Sequence, residues 1–288
     1  MKKLFTLGLL VISATTFAQD KITVKEEMVA IDGTSRNSLT VILAGSKTDD
    51  VKRAWKKQLK ELKGKVSDKT VIFGDDCVLK EIGDNSFDVY SIVEEAINEE
   101  VRLVVAFDLG GAHLSTAAHP AQYPAAEKFV YGFALAQGKN VVSTEIETSQ
   151  KVLKSLEKDQ IGLEKDKEKL EKDIKDYEAK IEENKAEIEQ NFVNQTGQQD
   201  EIHRLEESQI EGQIEEVQKV IKEFKKELDG LVKDKKRLEK DNQNLLEKIK
   251  KGNADMKENQ TNQATKKTEV EASKEAIQTL EVKLRSIH

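Results

Sequence analysis

The sequence predicts an α+β head, built as a mostly antiparallel sheet with two helices in two layers, followed by an all-α coiled-coil tail. Most aromatic and β-branched residues precede about residue 145, whereas Lys, Glu, Asp, Gln and Asn dominate beyond it. In that second part apolar residues recur at every seventh position, which is the spacing of a coiled coil. We therefore predict a signal peptide at 1–18, the head at 19–143 and the tail at 144–288.

The N-terminal segment MKKLFTLGLLVISATTFA has the pattern of a secretory signal peptide. Lys2 and Lys3 precede an apolar stretch, and small residues stand at the cleavage positions Thr16 and Ala18. The apolar stretch is short for a transmembrane helix. We expect cleavage after Ala18, a periplasmic or secreted protein, and no integral membrane span after cleavage. An uncleaved membrane anchor is the alternative.

The stretch LTVILAGSKTDD at 39–50 has some features of a phosphate-binding loop. A loop of the type G-x-x-x-x-G-K-[ST] needs one glycine five residues before the other, and a lysine directly after the second. Thr40 occupies the first position, and Lys47 comes one place late after Gly45. We therefore expect no bound nucleotide. The stretch predicts a strand end followed by a helix whose N-cap is Thr48 or Asp49.

Charge and cysteine content exclude further classes of function. The chain carries a formal net charge of −7, and its lysines lie near acidic residues, so we expect no nucleic-acid partner. Cys77 is the single cysteine of the sequence, which makes an intrachain disulfide impossible. Because Cys77 lies in a strand-like run, we expect it to be a small buried apolar residue rather than a reactive thiol.

The head elements follow in the order ββαββββα. They are strands at 22–31 and 39–44 separated by a turn at 33–37, a helix at 51–64, one or two strands within 69–82, strands at 87–96 and 100–109, and a helix at 124–138. The first helix places Val51, Trp55, Leu59 and Leu62 on one face, and Gly64 is expected to close it. The last two strands are expected to form a hairpin. This order is similar to that of ferredoxin-like two-layer sandwiches, a likeness of fold and not of function.

The most site-like stretch is FDLGGAHLSTAAHPAQYP at 107–124, which follows a strand end. Zinc binding would use Asp108, His113 and His119, and a serine hydrolase would use Ser115, but the spacing matches neither class of site. We therefore expect no catalytic residue, no metal and no cofactor. If the head binds a ligand, this loop is the candidate, because loops on a rigid scaffold carry function. The candidate ligand-binding residues are Asp108, Gly110, Gly111, His113, Ser115 and His119.

The tail contains two heptad frames. Taking Leu153 as position a, the first frame continues to Leu205, and a second frame starts at Ile214. The two frames do not join, because only five residues separate the d positions Leu205 and Ile210. The polar segments 194–200 and 251–263 predict turns, so that the tail would consist of three helices.

The charges beside the first seam indicate how the helices pair. Its e positions are Glu157, Glu164, Glu171 and Glu178, and its g positions are Asp159, Asp166 and Asp173. A parallel homodimer would set acid against acid. We therefore predict an antiparallel intramolecular hairpin that turns near Gly197 and brings residues 171 and 173 level with about 224 and 222, where lysines lie. Self-association and an intermolecular coil remain open.

The signal peptide, the stretch FDLGGAHLSTAAHPAQYPAAEKF and the repeated LEKD motif together resemble a group of exported bacterial proteins with a small α/β head and a long coiled coil. That resemblance implies no activity. The tail is also similar to the coils of structural-maintenance-of-chromosomes ATPases, but the phosphate loop of those enzymes is missing. We expect a non-enzymatic cell-envelope protein, with the head as a binding module for protein partners and the coil as a spacer or assembly arm. A periplasmic holdase chaperone and a coiled-coil activator of cell-wall hydrolases are the alternatives.

Overall fold

The computed structural model describes residues 22–97, 100–208 and 214–287. The predicted signal peptide and its cleavage site lie outside these ranges. The chain divides into two compact units: one contains the residues up to Leu153 together with Ala272 onwards, and the other is Lys154–Glu271. Within the described ranges, none of the helices is both long enough and apolar enough to cross a membrane.

The first part of the described chain contains six strands and two helices. The second of these helices is long, and another long helix follows it. The strands are β1 Lys25–Ile31, β2 Thr34–Leu43, β3 Lys65–Asp68, β4 Ile72–Cys77, β5 Phe87–Glu95 and β6 Val101–Asp108; the helices are α1 Thr48–Glu61, α2 Tyr123–Glu207 and α3 Ile214–Ser286. The strands make one sheet in the order β1-β2-β6-β5-β4-β3, and every neighbouring pair is antiparallel. The predicted order of elements and the predicted hairpin of β5 with β6 are confirmed. The strand β3, however, lies before the segment 69–82 in which one or two strands were predicted, and only β4 lies within that segment.

One face of the sheet carries the main core and both helices. Helix α1 buries Val51, Trp55 and Leu59 against strands β3, β4 and β5. The indole ring of Trp55 lies 5.8 Å from the ring of Phe129 and 4.8 Å from that of Phe133, both on α2. These contacts place the start of α2 on the same face, because large aromatic side chains gain most free energy when they are buried against one another. The indole Nε1–H donates a hydrogen bond of 2.8 Å to Ser91 Oγ, so the buried polar atom of the tryptophan is satisfied.

Strand β2 begins five residues earlier than predicted. The segment 33–37 was interpreted as a turn, but Thr34 onwards pairs with β1, and Arg36 lies opposite Val29. The turn itself is the dipeptide Asp32–Gly33, with φ values of 50° and 74°. Positive φ at both central residues matches the right-handed twist of a two-residue hairpin, which is why Asp-Gly favours this turn.

The ends of α1 also differ from the prediction. The N-cap residue is Lys47, which makes no side-chain capping hydrogen bond, so neither Thr48 nor Asp49 is the cap. At the other end Lys63, with φ 64°, takes the left-handed conformation that was expected at Gly64. Gly64 is required for another reason: a Cβ atom there would lie 2.5 Å from the sulfur of Cys77.

Cys77 is fully buried, as predicted. Burial, reinforced by the nearby carboxylates of Asp88, Asp75 and Asp76, raises the pKa of its thiol to about 11. The thiol is therefore protonated at neutral pH and lacks the thiolate character of a reactive cysteine.

The prediction of turns at 194–200 and 251–263 is wrong, since both segments are helical. Helix α2 also continues past Gly138, where a helix end was expected, and runs without interruption to Glu207. A single polar residue or glycine inside a helix costs only up to about 1 kcal/mol, which packing against a neighbouring helix can offset. Gly252 illustrates this, because a Cβ atom there would lie 3.0 Å from a side-chain carbon of Ile174.

Within Lys154–Glu271 the two long helices make direct side-chain contacts. Asn184 Nδ2 donates to Asn242 Oδ1 at 2.8 Å, and Lys225 Nζ lies 2.8 Å from Glu206 Oε1. The predicted partnering of residues 171 and 173 with about 224 and 222 is therefore wrong, because residue 225 lies beside residue 206. The segment between α2 and α3, not the region of Gly197, separates the two helices in sequence.

Candidate functional site

The first half of the predicted site loop is a tight turn. Asp108 Oδ1 accepts hydrogen bonds from the backbone N–H groups of Gly110, at 3.0 Å, and Gly111, at 3.5 Å. Both glycines have positive φ, 86° and 136°, which other residues rarely adopt. The chain then returns to β6, where Leu114 N–H donates to the carbonyl of Phe107 at 2.8 Å. Asp108, Gly110 and Gly111 are thus explained by the turn itself.

The second half of the loop leads into α2, which begins at Tyr123. Ser115 Oγ, on a residue that is 4% exposed, accepts a hydrogen bond from Ala118 N–H at 3.1 Å. His119 N–H donates to the carbonyl of Ser115 at 2.9 Å, and the carbonyl of His119 accepts from Tyr123 N–H at 3.0 Å. The hydroxyl that a hydrolase would use as nucleophile is therefore engaged in a turn that precedes α2.

A metal centre does not assemble from these residues. Across residues 22–97, 100–208 and 214–287, no three His, Cys, Asp or Glu side chains come together in a way that could hold a metal ion. His113 and His119 belong to different halves of the loop, and the Asp108 carboxylate is bonded to backbone amides. The three side chains that the sequence suggested as zinc ligands therefore do not come together as a metal site.

His113 reaches a second group of residues on the sheet face that carries no helix. It pairs with Asp108 in an isolated β-bridge, and its ring meets Tyr90 edge-on at 6.4 Å. The guanidinium carbon of Arg36 lies 4.2 Å from the centre of the Tyr90 ring, and Phe73 lies 4.8 Å from it. We call Arg36, Phe73, Tyr90 and His113 the Tyr90 cluster. A guanidinium over an aromatic face is attracted by the negative ring surface.

Two polar atoms of the Tyr90 cluster are buried without a hydrogen-bond partner among the described residues. They are Arg36 Nε and His113 Nδ1. The rest of the Arg36 head is held in place, since Nη1 donates to the carbonyl of Ile31 and, at 3.4 Å, to that of Thr34. A buried donor left unpaired costs about 1–3 kcal/mol. Both atoms are covered by the protein, so a ligand would contact the exposed parts of the half-buried Arg36 and Tyr90 side chains.

Charged residues surround the same sheet face. Arg102 bridges Glu27 of β1, at 2.9 Å, and Glu94 of β5, at 2.8 Å. Partial burial acts to lower the pKa of Arg102, but the hydrogen bonds to Glu94 and Glu27 outweigh it and raise that pKa. This bridge holds the two strands over the small apolar cluster of Ile31, Val104 and Ala106.

The site loop is fastened to β1 as well. Thr116 donates to Glu26 twice, through its backbone N–H at 3.1 Å and its hydroxyl at 2.7 Å. Burial raises the pKa of the nearby Tyr123 hydroxyl to about 12, with further contributions from Glu127 and Glu26. Tyr123 is consequently a neutral packing residue at the start of α2, not an acid or base for chemistry near pH 7.

Sequence reasoning missed Arg36, Phe73 and Tyr90. The alternation that places Phe87, Val89 and Ser91 on the helix face also places Tyr90 on the opposite face. The position of Tyr90 could therefore have been predicted from the sequence pattern. Arg36 was missed because its strand was interpreted as a turn.

The comparisons with known proteins provide no further guide to this site. No protein-family model, no curated protein and no solved structure matches the chain. The resemblance to exported head-and-coil proteins therefore stays a prediction.

Proposed function

We propose that this is a non-enzymatic cell-envelope protein whose head binds a protein partner through the Tyr90 cluster and whose helical part acts as a spacer or assembly arm. The single observation that carries the proposal is the half-buried Arg36 guanidinium, whose central carbon lies 4.2 Å from the centre of the half-buried Tyr90 ring on the sheet face that carries no helix. Arginine and tyrosine, together with tryptophan, are enriched among the residues that carry binding energy at protein interfaces. A peptide carbonyl or carboxylate is an acceptor that a guanidinium binds well.

The spacer role depends on an antiparallel hairpin of α2 and α3. Contacts within Lys154–Glu271 support it, because the partner's residue number on α3 falls as the number on α2 rises. These contacts are Lys266 with Asp159, Asn259 with the carbonyl of Leu163, Asn242 with Asn184, Glu227 with Gln198 and Lys225 with Glu206. At a rise of 1.5 Å per residue, the part of α2 from Lys154 to its end spans about 80 Å.

The export part of the proposal rests on residues 1–18 of the sequence. Expression in a Gram-negative host, followed by fractionation and intact-mass analysis, tests it. Cleavage after Ala18 gives a chain that starts at Gln19 and is found in the periplasm or medium. A chain of full mass in the cytoplasm would contradict export.

The binding role is tested with the full mature chain as bait in envelope extract, using quantitative mass spectrometry of the captured proteins. Tyr90→Ala and Arg36→Ala should each reduce capture of the same partner by about tenfold or more, as for a residue at the centre of an interface. Ile42→Ala is the matched control, since Ile42 is an exposed strand residue outside the cluster. Equal capture by all four proteins would contradict the assignment of the partner to this cluster.

A further inference from the structure

The hairpin of β1 and β2 is joined to the rest of the sheet at one end only. Strand β2 pairs with β6 over Leu39–Leu43, whereas its residues 34–38 pair with β1. Within the described chain, β1 lies at the edge of the sheet and pairs only with β2. We call residues 27–38 the flap. A two-stranded hairpin on its own is marginally stable in water, so other contacts must hold the flap in place.

The site loop occupies the place beside β6 that the flap leaves. Asp108 pairs with Asp88 of β5 on one side and with His113 on its other side. Leu114 N–H donates to the carbonyl of Phe107 at 2.8 Å, so the loop continues this pairing along β6. This is the side on which β2 would extend. The loop, and not the flap, therefore pairs with the end of β6.

The flap curls over the sheet face that carries no helix. Strand β1 contacts β5, although β2 and β6 lie between them in the strand order. Ile31, near the tip of the flap, is fully buried in the small apolar cluster with Val104 and Ala106 of β6. Arg36, whose Nη1 donates to the carbonyl of Ile31, lies on the ring of Tyr90. The burial of Ile31 and the contact of Arg36 with Tyr90 hold the flap closed.

The closed flap covers groups that could bind a partner. Arg36 Nε and His113 Nδ1 are buried without a hydrogen-bond partner in the part of the chain that the structure describes, and the ring of Tyr90 is half-buried. A buried polar group without a partner has lost its hydration and gained no bond in return. Closure is therefore less favourable than its apolar contacts alone would make it, and opening returns these atoms to water or to a ligand.

We propose that the flap opens as a unit about a hinge at the level of Leu39 and so regulates the binding of a protein partner at the Tyr90 cluster. This inference rests on the proposed function. The partner first meets the exposed parts of Arg36 and Tyr90. When the flap lifts, an apolar side chain of the partner takes the place that Ile31 leaves in the small apolar cluster. The apparent dissociation constant is then the intrinsic constant divided by the fraction of open flap.

Hydrogen exchange of the full mature chain, resolved by mass spectrometry, tests whether the flap opens separately. Ile31→Ala removes the side chain that anchors the flap, and peptides within 27–38 should then exchange about tenfold faster or more. Val89→Ala is the matched control, because Val89 is as fully buried as Ile31 but lies in the main core under the helices. It should accelerate exchange in β4, β5 and β6 and leave the flap at the rate of the wild type.

A common response of all strands would overturn the proposal. If 27–38 and the other strands accelerate together in each variant, the head opens only as a whole and no flap exists. Ile31→Val keeps most of the side chain and provides a second measurement should Ile31→Ala fail to fold. Its exchange rate within 27–38 should lie between those of the wild type and Ile31→Ala, and a rate equal to that of the wild type would contradict the anchoring role.

Partner capture from envelope extract tests the regulatory role. Ile31→Val leaves Arg36 and Tyr90 in place and raises the open fraction. It should therefore increase capture of the partner that depends on Tyr90 about threefold or more at limiting bait. Val89→Ala should not increase this capture. Capture by Ile31→Val that equals or falls below that of the wild type would overturn the regulatory role.

The two proposals fail separately. Hydrogen exchange is measured without a partner, so a common response of all strands removes the flap and leaves the binding role of the Tyr90 cluster in place. Equal capture by the wild type and Tyr90→Ala removes the binding role and leaves the exchange result unchanged.

Discussion

The head and the long helices bury very different residues. The head core consists of fully buried apolar side chains such as Trp55, Leu103 and Phe107, brought together from distant parts of the chain. In Lys154–Glu271 the buried positions include the polar residues Asn184 and Asn259, and each bonds to the facing helix. Apolar packing supplies the energy of the head, whereas we expect the paired polar groups to influence which residues of the long helices lie opposite each other.

The largest expected effect is a loss of stability in the head alone. Trp55→Ala removes a fully buried indole and its contacts with Phe129 and Phe133, and it leaves the Ser91 hydroxyl without its donor. We expect a loss of about 3–5 kcal/mol in the unfolding free energy of the head. Hydrogen exchange resolved by mass spectrometry should show faster exchange in the strands and little change within 160–200. A uniform change across both regions would contradict the separate stabilisation of the two.

The next effect is a pH dependence that comes from the core of the head. The pKa of Cys77 is raised to about 11 in the folded state, so the unfolded chain releases the thiol proton first. Stability is therefore unaffected below about pH 9 and falls between about pH 9 and 11, by about 2–3 kcal/mol in total. Urea titrations of the wild type and Cys77→Ala should diverge in that window. Parallel curves would show that the thiol does not titrate with folding.

Two glycine substitutions compare the tight packing at Gly64 in the head with the more tolerant packing at Gly252 in the long helices. Gly64→Ala places a Cβ atom 2.5 Å from the Cys77 sulfur, and we expect it to cost about 2 kcal/mol. Cys77→Ala should recover part of that loss in the double variant. Gly252→Ala meets Ile174 Cγ1 at 3.0 Å and the terminal Cδ1 at 3.3 Å, a contact that a small shift of this side chain relieves, and it gains about 1 kcal/mol of helix propensity, so its net effect should be near zero. Thermal melts of the four variants, compared with the wild type, measure these differences.

The smallest effect concerns the polar pair of the long helices. Asn184→Leu alone leaves Asn242 without its partner, and it should cost about 1 kcal/mol. Asn184→Leu combined with Asn242→Leu should raise the melting temperature but allow other alignments of the two helices. Distance distributions between spin labels on α2 and α3 should broaden in the double variant. A distribution as narrow as that of the wild type would show that the pair does not specify alignment.

The head was more predictable than the arrangement of the long helices. Alternation and strand runs gave the element order, because the pattern of a half-buried strand is local. The hairpin turn at Asp32–Gly33 was missed although Asp-Gly is a strong turn signal, and with it the strand that carries Arg36. The Tyr90 cluster joins residues from three strands and a loop, and only the folded sheet brings them together.

The sequence contained a signal for the end of α2, but the prediction gave that signal too little weight. The heptad frame changes between Leu205 and Ile210, and the structure ends α2 at Glu207. The polar segment around Gly197 was preferred as the turn because its composition is typical of loops. Composition is the weaker guide there, because Asn184 and Gln198 bond to residues of α3 and are compatible with an uninterrupted helix.

Disulfide formation between cysteines placed at 184 and 242 is the sharpest test of the proposed hairpin. In a Cys77→Ala background, we expect rapid oxidation within one chain, because Asn184 and Asn242 are hydrogen-bonded in the structure. Cysteines at 171 and 224 should not form an intrachain bond. A chain that links 171 to 224, or that links 184 to 242 only between two molecules, would contradict the proposed hairpin and the arm built from it.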